Sequence, residues 1–472
     1  MVGVLSVGDT APHRELSNRH IQFIALGGAI GAGLFLGSGA SIEGAGPSVL
    51  LAYVLCGTFI FFMARALGEL TLLEPAQDAF ASYAERHIGS VAGFVTGWSY
   101  WANWILVGAA EITACGLLMR FWFPELPQWV PSLIALCVIY AANMRAVRLF
   151  GEIEFWLALI KIITILVLIG LGLALLFLPG LPRIAGASVG NLVAYGGFFP
   201  KGVSGLIAIL PIALFAFGGV EVIAITAKEA RDPGKSIPRA INGVVLRILV
   251  FYVGSMFVAM SIAPWTRYSG AQSPFVSVFS QAGIGAAASI INFVVLTAVL
   301  SSCNTGLFAT GRMLAGLAAR KEAPAGLAKM NGRGLPGAGI SVSAACLLAT
   351  VLLNWLVPER ALSMLMAATA YLLLGVWAVI LVAHYRMKKR RGGEAVSPFP
   401  MPFYPVSNWI GLCALLGAAL LMAFDKSNAV VTLIAGGWYG ILTMLALRIC
   451  GKYRNSGGRA LGNEESNTGS VG

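Results

Sequence analysis

Charged residues are scarce in this chain. Asp, Glu, Lys and Arg make up 11% of the 472 residues, whereas hydrophobic residues make up 58%. Soluble domains carry about 25% charged residues, so the composition excludes a soluble globular protein. Apolar runs near the ~20 residues that a helix needs to cross a bilayer recur along the chain. These runs lack the apolar–polar alternation of outer-membrane strands.

Twelve such runs predict an all-α polytopic membrane protein with about twelve transmembrane helices. In this prediction residues 1–20 are a cytoplasmic tail, 21–449 the transmembrane domain and 450–472 a polar, disordered cytoplasmic tail. No basic segment followed by a short apolar core and an A-x-A-like site is visible, so the first run is expected to stay as the first span. The runs lie at 21–41, 48–73, 91–119, 129–147, 154–179, 203–227, 244–263, 284–316, 338–357, 361–385, 408–424 and 429–449.

Metal-binding and catalytic patterns are also scarce. The seven cysteines stand singly without a C-x-x-C pair, and the four histidines lie near or beyond the ends of the runs. This spacing supports neither a disulfide nor a metal site. The runs contain no clustered nucleophile and base for an enzyme and no filter motif for a channel. The sequence therefore predicts neither catalysis nor a cofactor.

The net charge of +12 is explained by the position of the basic residues. With twelve spans and a cytoplasmic N-terminus, 23 of the 32 lysines and arginines fall in inside segments and six in outside segments. This bias follows the positive-inside rule. It predicts a multi-pass protein of the cytoplasmic (inner) membrane with both termini in the cytoplasm, and it explains the basic charge without a nucleic-acid partner.

Glycine, by contrast, is concentrated where a plain spanning helix does not need it. The first run contains "GGAIGAGLF" at 27–35, with Gly27, Gly28, Gly31 and Gly33. Each glycine costs roughly 1 kcal/mol relative to alanine in a helix interior. The sixth run contains a matching interruption, "FAFGGVEVIAIT". The two segments lead two sets of five spans, which must have opposite orientations because five is odd, and such matched breaks point to a transporter's binding site.

Broken helices in mid-membrane expose backbone groups that are tolerated where they line a cavity. The N-terminal end of a half-helix suits an anionic group, and freed carbonyls suit an ammonium. A substrate that carries a carboxylate and an ammonium close together fits such a pair of breaks. The alternative, which is stronger for one glycine patch than for two, is that small residues only allow close helix packing.

Several stretches, in this order, resemble the amino-acid permeases of the amino acid–polyamine–organocation superfamily, in its bacterial amino-acid transporter branch. They are "NRHIQFIALGGAIGAGLFLGSG", "GAGPSVLLAY", "RALGEL", "TGWSYWANWILVGAAEITA", "FGEIEFWLALIK", "FAFGGVEVIAITAKEARDPGKSIPRAI", "SPFVSVF" and "NFVVLTAVLSSCNTGLFATGRML". The resemblance implies a LeuT-like fold. That fold is a five-plus-five inverted repeat with broken helices 1 and 6 and two further C-terminal helices. It also implies secondary uptake of amino acids driven by protons.

The resemblance also implies a substrate site. The span 1 backbone would hold the α-carboxylate, the span 6 carbonyls would hold the α-ammonium, and Phe215 would be an aromatic gate. Two features depart from the family pattern: Ala32 stands where many members have threonine, and span 8 has Thr305 and Gly311 where serines are usual. The implied binding residues are Ile30, Gly31, Ala32, Gly33, Asn103, Val107, Phe215, Ala216, Phe217 and Gly218.

Charged residues within the runs are functional hypotheses because an intramembrane charge costs a few kcal/mol. Lys161 matches a lysine that replaces sodium in proton-coupled relatives, with snorkelling to the interface as the alternative. Glu111 shares a helical face with Asn103 and Val107. It either binds protons, pairs with a basic group or makes a structural hydrogen bond to a neighbouring helix. Glu221 resembles a coupling glutamate, again with a structural alternative. Glu69 is predicted to pair with Arg65, its i−4 neighbour.

The sequence and the resemblance together predict a proton symporter that imports amino acids, with substrate, protons and the lipid bilayer as partners. The strings "NRHIQFIALGGAIG", "GGFFPKGVSG" and "AASIINFVVLTA" resemble carriers of small neutral amino acids such as D-serine, D-alanine and glycine. Carriers of another neutral amino acid (proline, aromatic, asparagine or histidine) and a non-transporting amino-acid sensor remain alternatives. The sequence leaves the oligomeric state open.

Overall fold

The computed structural model describes residues 30–467, except 75–78, 146, 180–183, 185, 223–231, 271, 282–284, 333 and 393–396. Of the glycine-rich stretch in the first run, Gly27 and Gly28 lie outside the described residues. So does most of the second half of the interruption in the sixth run.

Helices make up nearly all the regular structure of the described ranges, and no strand is found there. Short 3-10 turns at 46–48, 265–267, 325–328 and 426–428 and a π-helical turn at 250–254 connect or interrupt them. The α-helices are α1 Ala32–Phe35, α2 Gly37–Ala45, α3 Val49–Leu73, α4 Ala79–His87, α5 Ser90–Met119, α6 Trp129–Asn143, α7 Val147–Phe177, α8 Asn191–Ala194, α9 Gly202–Ala208, α10 Leu210–Ala216, α11 Pro233–Leu249, α12 Ser255–Ile262, α13 Pro274–Gln281, α14 Gly285–Ala319, α15 Gly337–Leu356, α16 Pro358–Arg390, α17 Val406–Phe424 and α18 Ala429–Asn467.

The helices account for the predicted spans. Among the described residues, eight segments are long and apolar enough to cross a membrane, and the first of them, Ala32–Leu73, joins the first two predicted runs. Two shorter apolar helices, Trp129–Asn143 and Val250–Ile262, lie in the fourth and seventh runs. The all-α polytopic fold class is therefore confirmed.

Both predicted interruptions are visible. In the described part of the first run, which begins at Ile30, the four-residue helix α1 precedes the turn at Leu36. The sixth run forms α9 and α10, and helix α10 ends at Ala216, after which residues 217–221 form turns. Gly219 has φ +97°, a left-handed conformation that side chains disfavour and glycine accepts. The glycines therefore mark the places where the spans lose helical structure.

Among the eight long apolar segments, α5 is the most buried: 78% of its most apolar 18-residue segment lies inside the molecule. It packs against α14 and α16. One of its faces therefore lies beside the broken helices. That face carries Asn103, Val107 and Glu111, all of which are buried.

The last helix extends beyond the last predicted span. Helix α18 begins at Ala429 and continues to Asn467, so helical backbone covers most of the segment for which the composition predicts a disordered tail. Residues 468–472 lie outside the described part of the chain.

The predicted Arg65–Glu69 ion pair is wrong. The Glu69 carboxylate instead pairs with His384 Nε2 and Lys388 Nζ of α16, each at 2.9 Å, and accepts a hydrogen bond from Met401 N at 2.8 Å. Arg65 donates to the Pro400 carbonyl at 2.5 Å. Helix packing therefore supplies Glu69 with partners far along the chain, which local i−4 spacing does not reveal.

Candidate functional site

The Glu111 carboxylate lies at the N-terminal end of α1. The Ala32 N–H donates to both of its oxygens, at 3.2 and 3.1 Å. The first N–H groups of a helix have no acceptor within the helix, and the helix dipole favours a negative charge there. A carboxylate of the protein itself therefore occupies part of the position that the sequence assigns to the substrate carboxylate.

Gly31 allows this close approach. A Cβ atom at Gly31 would lie 2.1 Å from Glu111 Oε1 and 2.9 Å from Ser302 Oγ. Ser302, on α14, donates in turn to the Ile30 carbonyl at 3.3 Å. The start of the first broken helix is thus held by one side chain from α5 and one from α14.

Lys161 is completely buried. Its Nζ donates to Ser302 Oγ at 3.5 Å, so Ser302 links the lysine to the backbone at Ile30. This placement excludes the snorkelling alternative for Lys161, since its ammonium lies inside the bundle. Lys161 and Glu111 therefore both lie near the start of the first broken helix.

The two broken helices touch at small residues. A Cβ atom at Gly33 would lie 2.9 Å from Ala216 Cα and 3.1 Å from Phe215 Cδ1. Ala216 also accepts a hydrogen bond through its carbonyl, from Tyr252 Oη at 2.9 Å. Tyr252 was not singled out in the sequence, because only tertiary packing brings it to this carbonyl.

Phe215 and Phe217 have different surroundings, although both are buried. Phe215 lies against Gly33 in the first broken helix. Phe217 lies in an aromatic cluster with Tyr252, at 5.9 Å between ring centroids, and Tyr53, at 6.1 Å. The structure thus places Phe215 at the junction of the broken helices and directs the Phe217 ring into the core.

Glu221 closes the turn of the sixth span. Both of its carboxylate oxygens accept from Gly219 N at 3.2 Å, and Tyr100 Oη on α5 lies 3.5 Å from Oε1. Glu221 is fully buried. It therefore ties the turn that contains Gly218 to the same helix, α5, that carries Glu111.

Two buried polar atoms, one on α5 and one on α14, have no hydrogen-bond partner in the part of the chain that the structure describes. They are Asn103 Oδ1 and Thr305 Oγ1. Val107 lies one turn from Asn103 and is also buried. Asn304, by contrast, accepts from Asn143 Nδ2 at 2.7 Å, an interaction that joins two helices.

The described residues contain no group of three or more His, Cys, Asp or Glu side chains arranged to hold a metal ion. The site is therefore built from broken helices, two carboxylates, a lysine and a small number of polar groups.

The amino acid permease family matches residues 20–452. The chain belongs to this family. The permease is 43% identical to the amino-acid permease AapA of Bacillus subtilis, over 92% of this chain and 94% of AapA. It is 42% identical to the probable threonine/serine transporter YbxG of the same organism, over 93% of this chain and 95% of YbxG.

A third relative is the aromatic amino acid transport protein AroP of Escherichia coli K12. It is 43% identical, over 91% of the permease and 94% of AroP. These relatives are transporters, and the names of YbxG and AroP give different substrates. The permease is therefore a multi-pass membrane protein for amino-acid transport, and the amino acid that it carries is a separate question.

The hydrogen bond between Tyr252 and Ala216 gives a first prediction. The Tyr252→Phe variant is expected to raise the KM for substrate uptake by about 2- to 10-fold, since a typical hydrogen bond contributes about 0.5–1.5 kcal/mol. The aromatic cluster keeps its ring, so kcat should change little. Initial uptake rates in proteoliposomes measure both constants. An unchanged KM would show that the Ala216 carbonyl is not positioned by Tyr252.

Proposed function

We propose that the permease imports small neutral amino acids by proton symport, across the cytoplasmic membrane and with both termini in the cytoplasm. The observation that carries the proposal is the Glu111 carboxylate on the Ala32 N–H at the start of α1. A buried acid on the backbone donor best suited to a substrate carboxylate provides a direct link between a proton and a substrate.

The link is competition for one backbone donor. Two carboxylates near the same helix N-terminus repel each other, because like charges disfavour each other's ionised forms. A proton on Glu111 removes its charge, weakens its hold on Ala32 and admits the substrate carboxylate. In this scheme Ile30, Gly31, Ala32 and Gly33 receive the carboxylate.

The ammonium end of the substrate is assigned to the second broken helix. Carbonyl groups from Phe215 to Gly218 lie where α10 ends. Those of Phe215 and Ala216 each accept one hydrogen bond, from Gly218 N and Tyr252 Oη, and each keeps a second lone pair. Gly33 in contact with Ala216 keeps the two breaks next to each other. The carboxylate and ammonium of one α-amino acid therefore reach both breaks at once.

Together with Glu111, Lys161 and Glu221 are proposed to couple proton binding to substrate binding. Lys161 is buried near Ser302, which itself bonds to Ile30, so its charge state acts on the same end of α1. Glu221 holds the turn after α10 through Gly219. Each broken helix therefore has an ionisable side chain that responds to a proton.

The size of the substrate is inferred from the α5 face. Val107 is apolar, Asn103 offers an unpaired acceptor, and the Trp104 ring lies against Gly306, where a Cβ atom would be 3.1 Å from Cε3. Buried aromatic rings at Trp104 and Phe215 leave little room for a bulky side chain. A small neutral amino acid, with a hydroxyl in the case of serine, fits this surface.

A competition screen tests the proposal. Purified permease in proteoliposomes is given radiolabelled alanine under an inward proton gradient, with each amino acid in excess as competitor. Uptake is expected to collapse with a protonophore and to be competed by D-alanine, D-serine and glycine.

Other outcomes of the screen separate the alternatives. Competition by aromatic or other large amino acids would overturn the size inference and leave the coupling intact. Uptake that is unaffected by the protonophore would overturn proton symport. Saturable binding without uptake under any gradient would favour the amino-acid sensor.

A further inference from the structure

A groove runs along the surface of the permease between the third, tenth and twelfth spans, away from the broken helices. Its volume is about 760 Å³, within the 300–1,000 Å³ typical of ligand sites. Its walls come from α5, α16 and α18, and they include Val91, Val95, Gly375, Val379 and Tyr439. These apolar walls suit a hydrocarbon chain.

The floor of the groove is formed by a close contact. Gly375 lies under the Tyr439 hydroxyl, and a Cβ atom there would be 2.0 Å from that oxygen. Tyr439 donates to the Leu372 carbonyl at 3.2 Å, which fixes the ring against α16. The groove is therefore a formed feature of the packing between these two helices.

One end of the groove is the N-terminus of α5, a helix of 30 residues. The residue before it is Gly89, which supplies no side-chain cap, and its described first turn contains no acidic residue. The first N–H groups of the helix therefore lack side-chain acceptors. An uncapped helix start of this kind favours an anionic group.

Two arginines lie beside this helix start. Arg386 donates to the carbonyls of His87 and Ile88 at 3.4 and 3.5 Å, and Arg390 donates to the Arg86 carbonyl at 3.0 Å. Both arginines are exposed. Their positive charges therefore reinforce the helix terminus at the same edge of the groove.

The arginine and the groove wall share one face of α16. Gly375, Val379 and Arg386 follow the i, i+4, i+11 spacing of a helical stripe. With a rise of 1.5 Å per residue, Arg386 lies about 10 Å beyond Val379 along the helix. The positively charged end and the apolar wall of the groove are thus aligned along the axis of α16.

A buried polar atom lies between these two ends. Thr96 lines the groove and is 2% exposed, and its Oγ1 has no hydrogen-bond partner among the described residues. It lies six positions after Ser90, about 9 Å along α5. Its hydroxyl is enclosed by the protein, so the groove surface at this depth is apolar.

We propose that this groove binds a phospholipid with an anionic head group. The phosphate contacts the start of α5 and Arg386, and an acyl chain lies along Val95 and Val379. The proposal concerns head-group selectivity, because any apolar surface in a bilayer contacts lipid chains, whereas the arginines and the uncapped helix start distinguish an anionic from a zwitterionic head.

Native mass spectrometry of the purified full-length permease tests the selectivity. The probes are palmitoyl-oleoyl phosphatidylglycerol and palmitoyl-oleoyl phosphatidylcholine, added separately to the protein in detergent. The wild type is expected to bind phosphatidylglycerol about tenfold more tightly. The Arg386→Gln variant is expected to lose about fivefold of that preference, the effect of one basic side chain near an anionic lipid.

Matched variants distinguish binding in the groove from the effect of losing any surface charge or of adding any large ring. Lys329→Gln also removes one exposed positive charge, from the loop between α14 and α15. This variant should keep the wild-type preference for phosphatidylglycerol. Thr443→Trp fills the groove and should lower phosphatidylglycerol binding at least fivefold. Met444→Trp adds the same ring on the neighbouring, 58% exposed position and should bind as the wild type does.

The proposal would be overturned by equal binding of the two lipids to the wild type. It would also be overturned if Arg386→Gln and Lys329→Gln had the same effect, or if Thr443→Trp bound phosphatidylglycerol as Met444→Trp does. A single symmetrical peak in size-exclusion chromatography, required of every variant, shows that lost binding does not reflect lost folding.

Discussion

The Glu111→Gln variant is expected to lose proton-driven accumulation of substrate while it retains exchange of substrate across the membrane. Glutamine keeps the shape of the side chain and an oxygen that accepts from Ala32 N–H, but it does not take up a proton. Because glutamine resembles the protonated acid, substrate should still bind, whereas uptake driven by the pH gradient should fall to the level measured without a gradient.

Two assays on one proteoliposome preparation measure this effect. Net uptake under an imposed pH gradient reports coupling, and counterflow of labelled against unlabelled alanine reports binding and the conformational cycle. Glu359→Gln is the matched control because Glu359 is exposed in the first turn of α16. If Glu111→Gln accumulates substrate as Glu359→Gln does, the role of Glu111 in coupling is refuted.

The Gly33→Ala variant is expected to abolish uptake. The added Cβ would lie 2.9 Å from Ala216 Cα, and a backbone atom in a packed core has little freedom to withdraw. The two broken helices must then separate, which moves the groups assigned to the carboxylate and ammonium of the substrate. A misplacement of about 1 Å is enough to cost on the order of 100-fold in a site that depends on geometry.

Gly436→Ala provides the control for Gly33→Ala. Gly436 lies in α18 and has no atom within 4 Å of the position where a Cβ would stand. Alanine is also the better helix former there. Uptake by Gly436→Ala should equal that of the wild type. Wild-type uptake by Gly33→Ala would show that close contact between the broken helices is not required.

Local patterns predicted the spans and their breaks. Length and hydropathy identify a spanning helix because the bilayer sets the length, and glycine marks the turns after Ala216. The residues near the start of α1 were also indicated, since Glu111 and Lys161 are charges in apolar runs. The bonds of Ser302 to Lys161 and to the Ile30 carbonyl depend on how α14 packs and were not predicted.

Partners that lie far apart in the chain were not predictable from one sequence. Glu69 bonds to His384 and Lys388, more than 300 positions away, whereas the i−4 rule offered only Arg65. Tyr252 on the Ala216 carbonyl and the unpaired Thr96 hydroxyl depend on how helices pack. Periodicity shows which face of a helix is buried, but it does not show which helix covers that face.

The three bonds to Glu69 have a consequence for the speed of transport. They join the second span to the tenth and to the segment at Met401. Either the tenth span moves together with the second when the permease opens, or a buried carboxylate gives up a histidine, a lysine and a backbone amide at once. An uncompensated buried charge is costly, so a path that separates them has a high barrier. Joint movement of the two spans avoids that barrier, and the cycle then runs at the microsecond-to-second rates of collective transitions.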